Sequence, residues 1–234
     1  MERGKTLKVR SIEFWDHYAK WYRLWVEHTS YYKKIIEALK GRVSRGWKVL
    51  DVGAGNGVLS IPIHQLGCEV VALEPSIGMR NLLREEMLKR KVWGLRIDPR
   101  LWENVSPEDF TDFDLVIACN TLHLTKMAFQ KALEKVFHTR AKHVFLVYEV
   151  DSLFPPINHF YENYKLIFTK SDEVEDSFAY HHLGEVLGHW ESLYGQTLKS
   201  EERDELKNRI LVHRGHLWLK HSSQVMMCCW KRIF

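Results

Sequence analysis

The residues best suited to chemistry lie in the run Asp51-Val52-Gly53-Ala54-Gly55-Asn56-Gly57, with Glu74 further along. Three alternate glycines let a backbone turn sharply and lie close against a ligand. A helix starting just beyond them offers free N–H groups and a partial positive charge. The third glycine arrives one residue earlier than in the G-x-G-x-x-G of dinucleotide binding, and no G-K-[ST] follows as a phosphate loop requires. A carboxylate at position 51 would repel a pyrophosphate, but it suits a ligand that carries an ammonium and a sulfonium. Glu74, about twenty residues past the glycines, is placed to accept hydrogen bonds from both hydroxyls of a ribose. Taken singly, each acid reads equally well as a strand-end carboxylate making a loop contact. As a pair flanking the glycines they are far more specific.

Two acids can flank one turn only if adjacent strands deliver them. Lys48–Val52 is a short apolar run that reads as a buried parallel strand, and Cys68–Glu74 reads as a second. Further strands are expected at Trp93–Ile97, Phe113–Cys119 and His143–Val150, with helices at Gly78–Lys91 and Met127–Phe137. This alternation predicts a doubly wound α/β fold with a mostly parallel sheet covered on both faces. Beyond Asp151 the alternation loosens. A strand at Tyr164–Thr169, helices at Leu183–Tyr194 and Glu201–Leu211 with Ser200 as N-cap, and a last strand at Val225–Trp230 complete the sheet. Ahead of the core, Phe14, Trp15, Tyr18, Trp21, Tyr22 and Trp25 recur at helical spacing, and Tyr32, Ile35, Ile36 and Leu39 follow suit. The expected layout is one domain over 1–234: a helical lid segment 1–46, a cofactor-binding core 47–151, and 152–234 supplying sheet completion and substrate-side helices.

Composition narrows the class. The chain has 234 residues, enough for a full core, and a net charge of +4 spread along its length, which signals no nucleic-acid footprint. Cys68, Cys119, Cys228 and Cys229 show no C-x-x-C spacing, and the thirteen histidines show no metal-ligand pattern, so no metal is expected. The charged stretch 1–10 reads as no secretory signal, and no run is long and apolar enough for a membrane span. A reduced, cytoplasmic protein is the expectation.

S-adenosylmethionine is a ligand with the charges described above, and the chain resembles the class I S-adenosylmethionine-dependent methyltransferases. Val49 to Gly57 is similar to their first motif, the glycine loop holding the methionine part, which implies roles for Asp51, Gly53, Ala54, Gly55 and Gly57. Ala72 to Met79 resembles the second motif, with Glu74 and Pro75 at the ribose and Met79 near the adenine. Phe113 to His123 resembles the fourth strand of the small-molecule, methyltransferase type 11-like subgroup. The end of that strand, here Cys119, Asn120 and His123, lines the cofactor pocket. Asp98 resembles the acid that contacts the adenine amine, with Trp102 beside it. The opening Phe14 to Tyr22 looks like the subgroup's N-terminal lid helix, and Tyr18 and Tyr22 are favoured for the pocket because a phenol pairs an apolar ring with a polar handle. The resemblance implies a Rossmann-like, seven-stranded methyltransferase fold.

These readings give in-line methyl transfer to a small-molecule acceptor, a reaction that chiefly requires alignment and exclusion of water. His123 is a candidate base if the acceptor arrives protonated, although shaping the pocket is its blander role. An adenine-N methyltransferase would carry Asn-Pro-Pro-aromatic after the fourth strand. Here Asn120 is followed by Thr121-Leu122-His123. The alternatives are a nucleic-acid or protein methyltransferase, or a non-catalytic module that binds the same ligand.

Overall fold

The computed structural model describes residues 11–150, 157 and 160–233. The stretch 1–10, read above as carrying no export signal, lies outside them. A seven-stranded sheet runs in the order β3-β2-β1-β4-β5-β10-β6. Its parallel part comprises β1 (Lys48–Val52), β2 (Glu69–Leu73), β3 (Arg96–Asp98), β4 (Leu115–Cys119) and β5 (His143–Glu149). Strand β10 (Ser222–Arg232) pairs antiparallel with β5 and with β6 (Tyr164–Glu175).

The central strands are apolar without alternation because each face of the sheet has its own core. Val49, Val70, Ile117 and Phe145 point into one, with Tyr31, Ile35 and Leu39 of α2 (Tyr31–Lys40) and Ile61 of α3 (Ser60–Gln65). Leu50, Val52, Val116 and Leu146 point into the other, with Leu133 and Val136 of α5 (Phe129–His138). Helix α4 (Ile77–Lys89) connects β2 to β3.

Three expectations need revision. Strand β3 starts at Arg96 because Trp93 is exposed and Gly94 turns the chain at φ +86°. Strand β6 extends six residues past Thr169, to Glu175. Its exposed Lys170 and Glu173 hid that extension from a hydrophobicity pattern, and charged residues are common on an edge strand. Ser200 is not the N-cap of α7 (Ser200–Asn208). Lys199 is, and its amide donates to Glu202 Oε2 at 3.0 Å.

A second sheet was not foreseen. Strands β7 (Phe178–Tyr180), β8 (Leu211–His213) and β9 (His216–Leu219) pair in the order β7-β9-β8. With α6 (Leu183–Tyr194) and α7 they bury their own small core around Tyr180, Val186, Leu198, Leu206 and Leu219. Strands of three and four residues are too short to show a period. This unit is inserted between β6 and β10. Helix α1 (Ile12–His28) packs on α4 of the main body and on β7 and α6 of the inserted unit.

Candidate cofactor site

The β1–α3 turn is the centre of the site. Gly53, Gly55 and Gly57 have φ of +70°, +57° and +79°, a conformation that glycine adopts without strain. Space matters as well: a Cβ on Gly53 would lie 1.9 Å from Thr121 Oγ1, and one on Gly57 2.1 Å from a Leu83 methyl. The turn is hung from β2 by Gly53 N–H and Ala54 N–H, which donate to Leu73 O at 2.8 and 3.1 Å.

Glu74 is fixed by the same turn. Its Oε2 accepts from Gly55 N–H and its Oε1 from Ser76 N–H, both at 2.8 Å. A carboxylate offers about four lone-pair sites, so each oxygen keeps capacity for a ribose hydroxyl. Burial pushes its pKa up to about 7 in spite of those two bonds. Asp51 Oδ2 accepts from Ser60 Oγ at 2.6 Å, and burial raises its pKa to about 6. Two buried acids held side by side favour a ligand that brings positive charge and hydroxyl donors.

Other predicted residues fall around this pair. Ala54 is buried in the turn, and Pro75 is half-buried with its carbonyl accepting from Arg80 at 2.6 Å. Met79 packs with Ala19 and Leu82 under Trp15 and Tyr22. Tyr22 comes from α1 to lie over the turn, its hydroxyl 3.4 Å from where a Gly55 Cβ would stand. That hydroxyl pairs with Tyr32 Oη at 2.8 Å. Cys119 ends β4, with burial raising its thiol pKa and Asp51 and Glu149 adding to the effect. Asn120 follows at φ +49°, its Nδ2 donating to Tyr31 Oη. His123 sits in a single 3-10 turn, Leu122–Leu124, directly after β4.

Three predicted residues have other partners. Both oxygens of Asp98 bond Arg100, through Nε and Nη2 at 3.1 and 2.8 Å, and that pairing holds its pKa below the usual carboxylate value. Trp102 is buried in the core beneath the sheet, and its Nε1 donates to Ala132 O at 3.1 Å. Tyr18 bonds Nε2 of buried His189 at 2.6 Å, and Tyr180 Oη bonds Nδ1 of the same ring at 2.6 Å. Tyr18 thus ties α1 to the inserted unit, whereas Tyr22 faces the glycine turn.

Sequence reasoning missed Tyr31, Tyr32, Glu149 and Asp16. Asp16 Oδ1 accepts from Ser76 Oγ at 2.6 Å and from Gly78 N–H at 3.1 Å, so a side chain of α1 caps the start of α4. Burial works against its charge, but these bonds prevail and hold its pKa below the usual value. Nothing in the local sequence marks a cap contributed from sixty residues away.

Residues 49–142 match a family model described as a methyltransferase domain. That stretch is thus similar to a methyltransferase domain. S-adenosylmethionine is the cofactor of that family, and the buried acids beside the glycine turn fit it. The domain is 34% identical over 103 residues to ribosomal protein L11 methyltransferase of Aquifex aeolicus, covering 43% of this chain and 39% of that protein. It is 25% identical over 103 residues to the "Probable ribosomal RNA small subunit methyltransferase A" of Methanosphaera stadtmanae, covering 44% of this chain. The chain thus spans only 35% and 39% of these relatives' own lengths. Its fold is shared with a Bacillus halodurans C-125 protein at 12% identity and a TM-score of 0.57, over 84% of this chain and 97% of that one. Among the described residues, no helix is long and apolar enough to cross a membrane.

The two tyrosines of α1 should separate by experiment. Tyr18→Phe is expected to lower the stability of the free protein by about 1 kcal/mol, because it removes one buried hydrogen bond. Tyr22→Phe should instead weaken cofactor binding, measured by calorimetry, and amide exchange across 14–22 should slow when S-adenosylhomocysteine is added. Exchange equally slow with and without that ligand would make α1 plain core and remove its role as a lid.

Proposed function

We propose that this protein transfers a methyl group from S-adenosylmethionine to a small-molecule acceptor in the cytoplasm. The observation that carries this reading is the Glu74 carboxylate, aimed by two backbone amides at the edge of a turn roofed by Tyr22. Glu74 would take the ribose hydroxyls, and Asp51 the ammonium end. Gly53 and Gly55 let the turn lie close against Thr121 and Tyr22, and Met79 supplies an apolar wall for the adenine. S-adenosylmethionine, when bound, supplies an activated methyl group on a sulfonium. The protein's own task is to hold the acceptor in line and keep water out. A site roofed by α1 and α2 and flanked by the inserted unit supports a small acceptor over a polymer. Cys68, Cys228 and Cys229, all buried free thiols, suit a reducing compartment.

The names of the two curated relatives favour a second reading, in which the acceptor is a ribosomal RNA or a ribosomal protein. Calorimetry should show S-adenosylmethionine and S-adenosylhomocysteine binding far better than NAD, and preferential NAD binding would end the methyltransferase reading. Labelled methyl appearing on ribosomal components, with none on small molecules, would select the second reading.

A further inference from the structure

We propose that Arg100, and not Asp98, meets the base of the bound cofactor, so that the site reads a purine through its acceptor atoms and makes no use of the 6-amino group. This proposal rests on the S-adenosylmethionine reading above and assigns a specificity-determining residue to that same site.

The place of the base follows from the other parts of the ligand. In that reading Asp51, next to last in β1, faces the ammonium, and Glu74, just past β2, takes the ribose. The base therefore continues away from β1. The next strand in that direction is β3, about 4.8 Å further on. Its last residue, Asp98, pairs with Leu73, and Asp98 O accepts from Glu74 N–H at 2.9 Å. An adenine amine would need an acceptor here, and the strand-end carboxylate at this place is Asp98.

That carboxylate is already taken. Oδ1 accepts from the Arg100 amide at 3.0 Å and from Nε at 3.1 Å, while Oδ2 accepts from Nε at 3.1 Å and from Nη2 at 2.8 Å. A carboxylate has about four acceptor sites, so Arg100 alone fills it. Glu74, by contrast, accepts one amide on each oxygen. The Asp98 side chain is only 10% exposed. Releasing Arg100 in favour of a neutral amine would exchange a two-pronged, charge-assisted pair for a weaker bond and leave a nearly buried charge short of partners.

Arg100 itself keeps donors. A guanidinium has five N–H groups. Nε and one N–H of Nη2 serve Asp98, and one N–H of Nη1 serves Asp109 Oδ2 at 2.9 Å. Among the described residues no acceptor meets the remaining N–H on each terminal nitrogen, and the side chain is 44% exposed just beyond β3. Such donors match the ring acceptors of a purine, and a planar guanidinium bonds a 6-oxo purine at O6 and N7 together. They offer nothing to the 6-amino group, which is itself a donor. Asp98 and Asp109 are then positioning residues that hold the fork and offset its charge.

The test compares S-adenosylhomocysteine with S-inosylhomocysteine, whose base carries a 6-oxo group in place of the amine, by calorimetry on the full chain. The inosyl ligand should bind at least as tightly as the adenosyl one. Arg100→Met removes the fork and frees Asp98, so the preference should swing at least tenfold toward the adenosyl ligand, because a carboxylate accepts from an amine and repels an oxo group. Arg100→Lys, which can bond Asp98 through one nitrogen only, should swing it the same way by less. The readout is a ratio on one protein, so a loss of folded material lowers both signals and leaves the ratio intact. A preference of the unaltered protein for the adenosyl ligand, or a ratio that Arg100→Met leaves unchanged, would overturn the assignment. No binding of either ligand by the unaltered protein would instead mark failure of the cofactor reading itself.

Discussion

Affinity for S-adenosylmethionine should fall steeply, by about tenfold per pH unit for each acid that takes up a proton, as the pH drops from about 8 to about 5. Glu74 and Asp51 are the acids responsible, with pKa values raised to about 7 and about 6, chiefly by burial. Each must be ionised to accept from ribose hydroxyls or to face an ammonium, so below its pKa the ligand has to displace a proton. Glu74 alone then weakens binding about a hundredfold by pH 5, two units below its raised value, with Asp51 adding about tenfold. The two acids act on each other, so the profile belongs to the pair. The free protein behaves in the opposite sense. Its native state holds these protons more tightly than the unfolded chain, so the stability they contribute is fully present below about pH 4. It is lost as the pH rises through their raised values of about 6 and 7. Ligand-induced elevation of Tm should therefore grow with pH across this window. Glu74→Gln should remove the upper part of the binding profile. Calorimetry in two buffers of different ionisation enthalpy checks the proton count, and affinity independent of pH would mean the acids do not meet the ligand.

The second large effect is expected at Gly78. A Cβ there would stand 2.6 Å from Asp16 O and 2.8 Å from Asp16 Cα, which are backbone atoms of α1 and cannot swing aside. Gly78→Val should thus push α1 off the start of α4 and break the Asp16 bonds to Ser76 and Gly78. Overpacking of this kind costs about 1–3 kcal/mol. Because α1 carries Tyr22 over the glycine turn, cofactor affinity should drop at least tenfold, with amide exchange across 12–28 speeding up. Asp16→Asn is the companion variant, weakening the cap without adding bulk, and its effect on affinity should be smaller. Unchanged cofactor affinity and unchanged exchange in Gly78→Val would show that the docking of α1 has no bearing on the site.

The parallel core was readable because each central strand is a short apolar run closed by a turn, and Lys48–Val52 has the same bounds in the sequence reading and in the structure. Helix α6 was equally plain, since a twelve-residue amphipathic stretch, Leu183–Tyr194, carries enough turns to show its period. The carboxylates of Asp51 and Glu74 were legible because strand ends and glycines are local signals. The roof was not. Tyr31, Tyr32 and Glu149 meet only once β4, β5 and α2 are assembled, and an aromatic on an amphipathic helix looks the same whether it faces a core or a ligand. Trp102 shows the converse, an aromatic near a motif that the core beneath the sheet claims.

Helix α1 is made well before its partners. Tyr18 meets His189 across 171 residues, and Asp16 meets Ser76 across 60. The sheet has the same history, since β10 fits between β5 and β6 and cannot be placed until residue 232 has been translated. Contacts of such long range form only after large loops have closed, so they tend to be late steps in folding. A nascent chain stalled before the inserted unit is complete would hold the glycine turn and both acids while its aromatic roof had nothing to lean on. Competence to bind the cofactor should consequently appear only once β10 has been translated, well after the parallel strands have the residues they need.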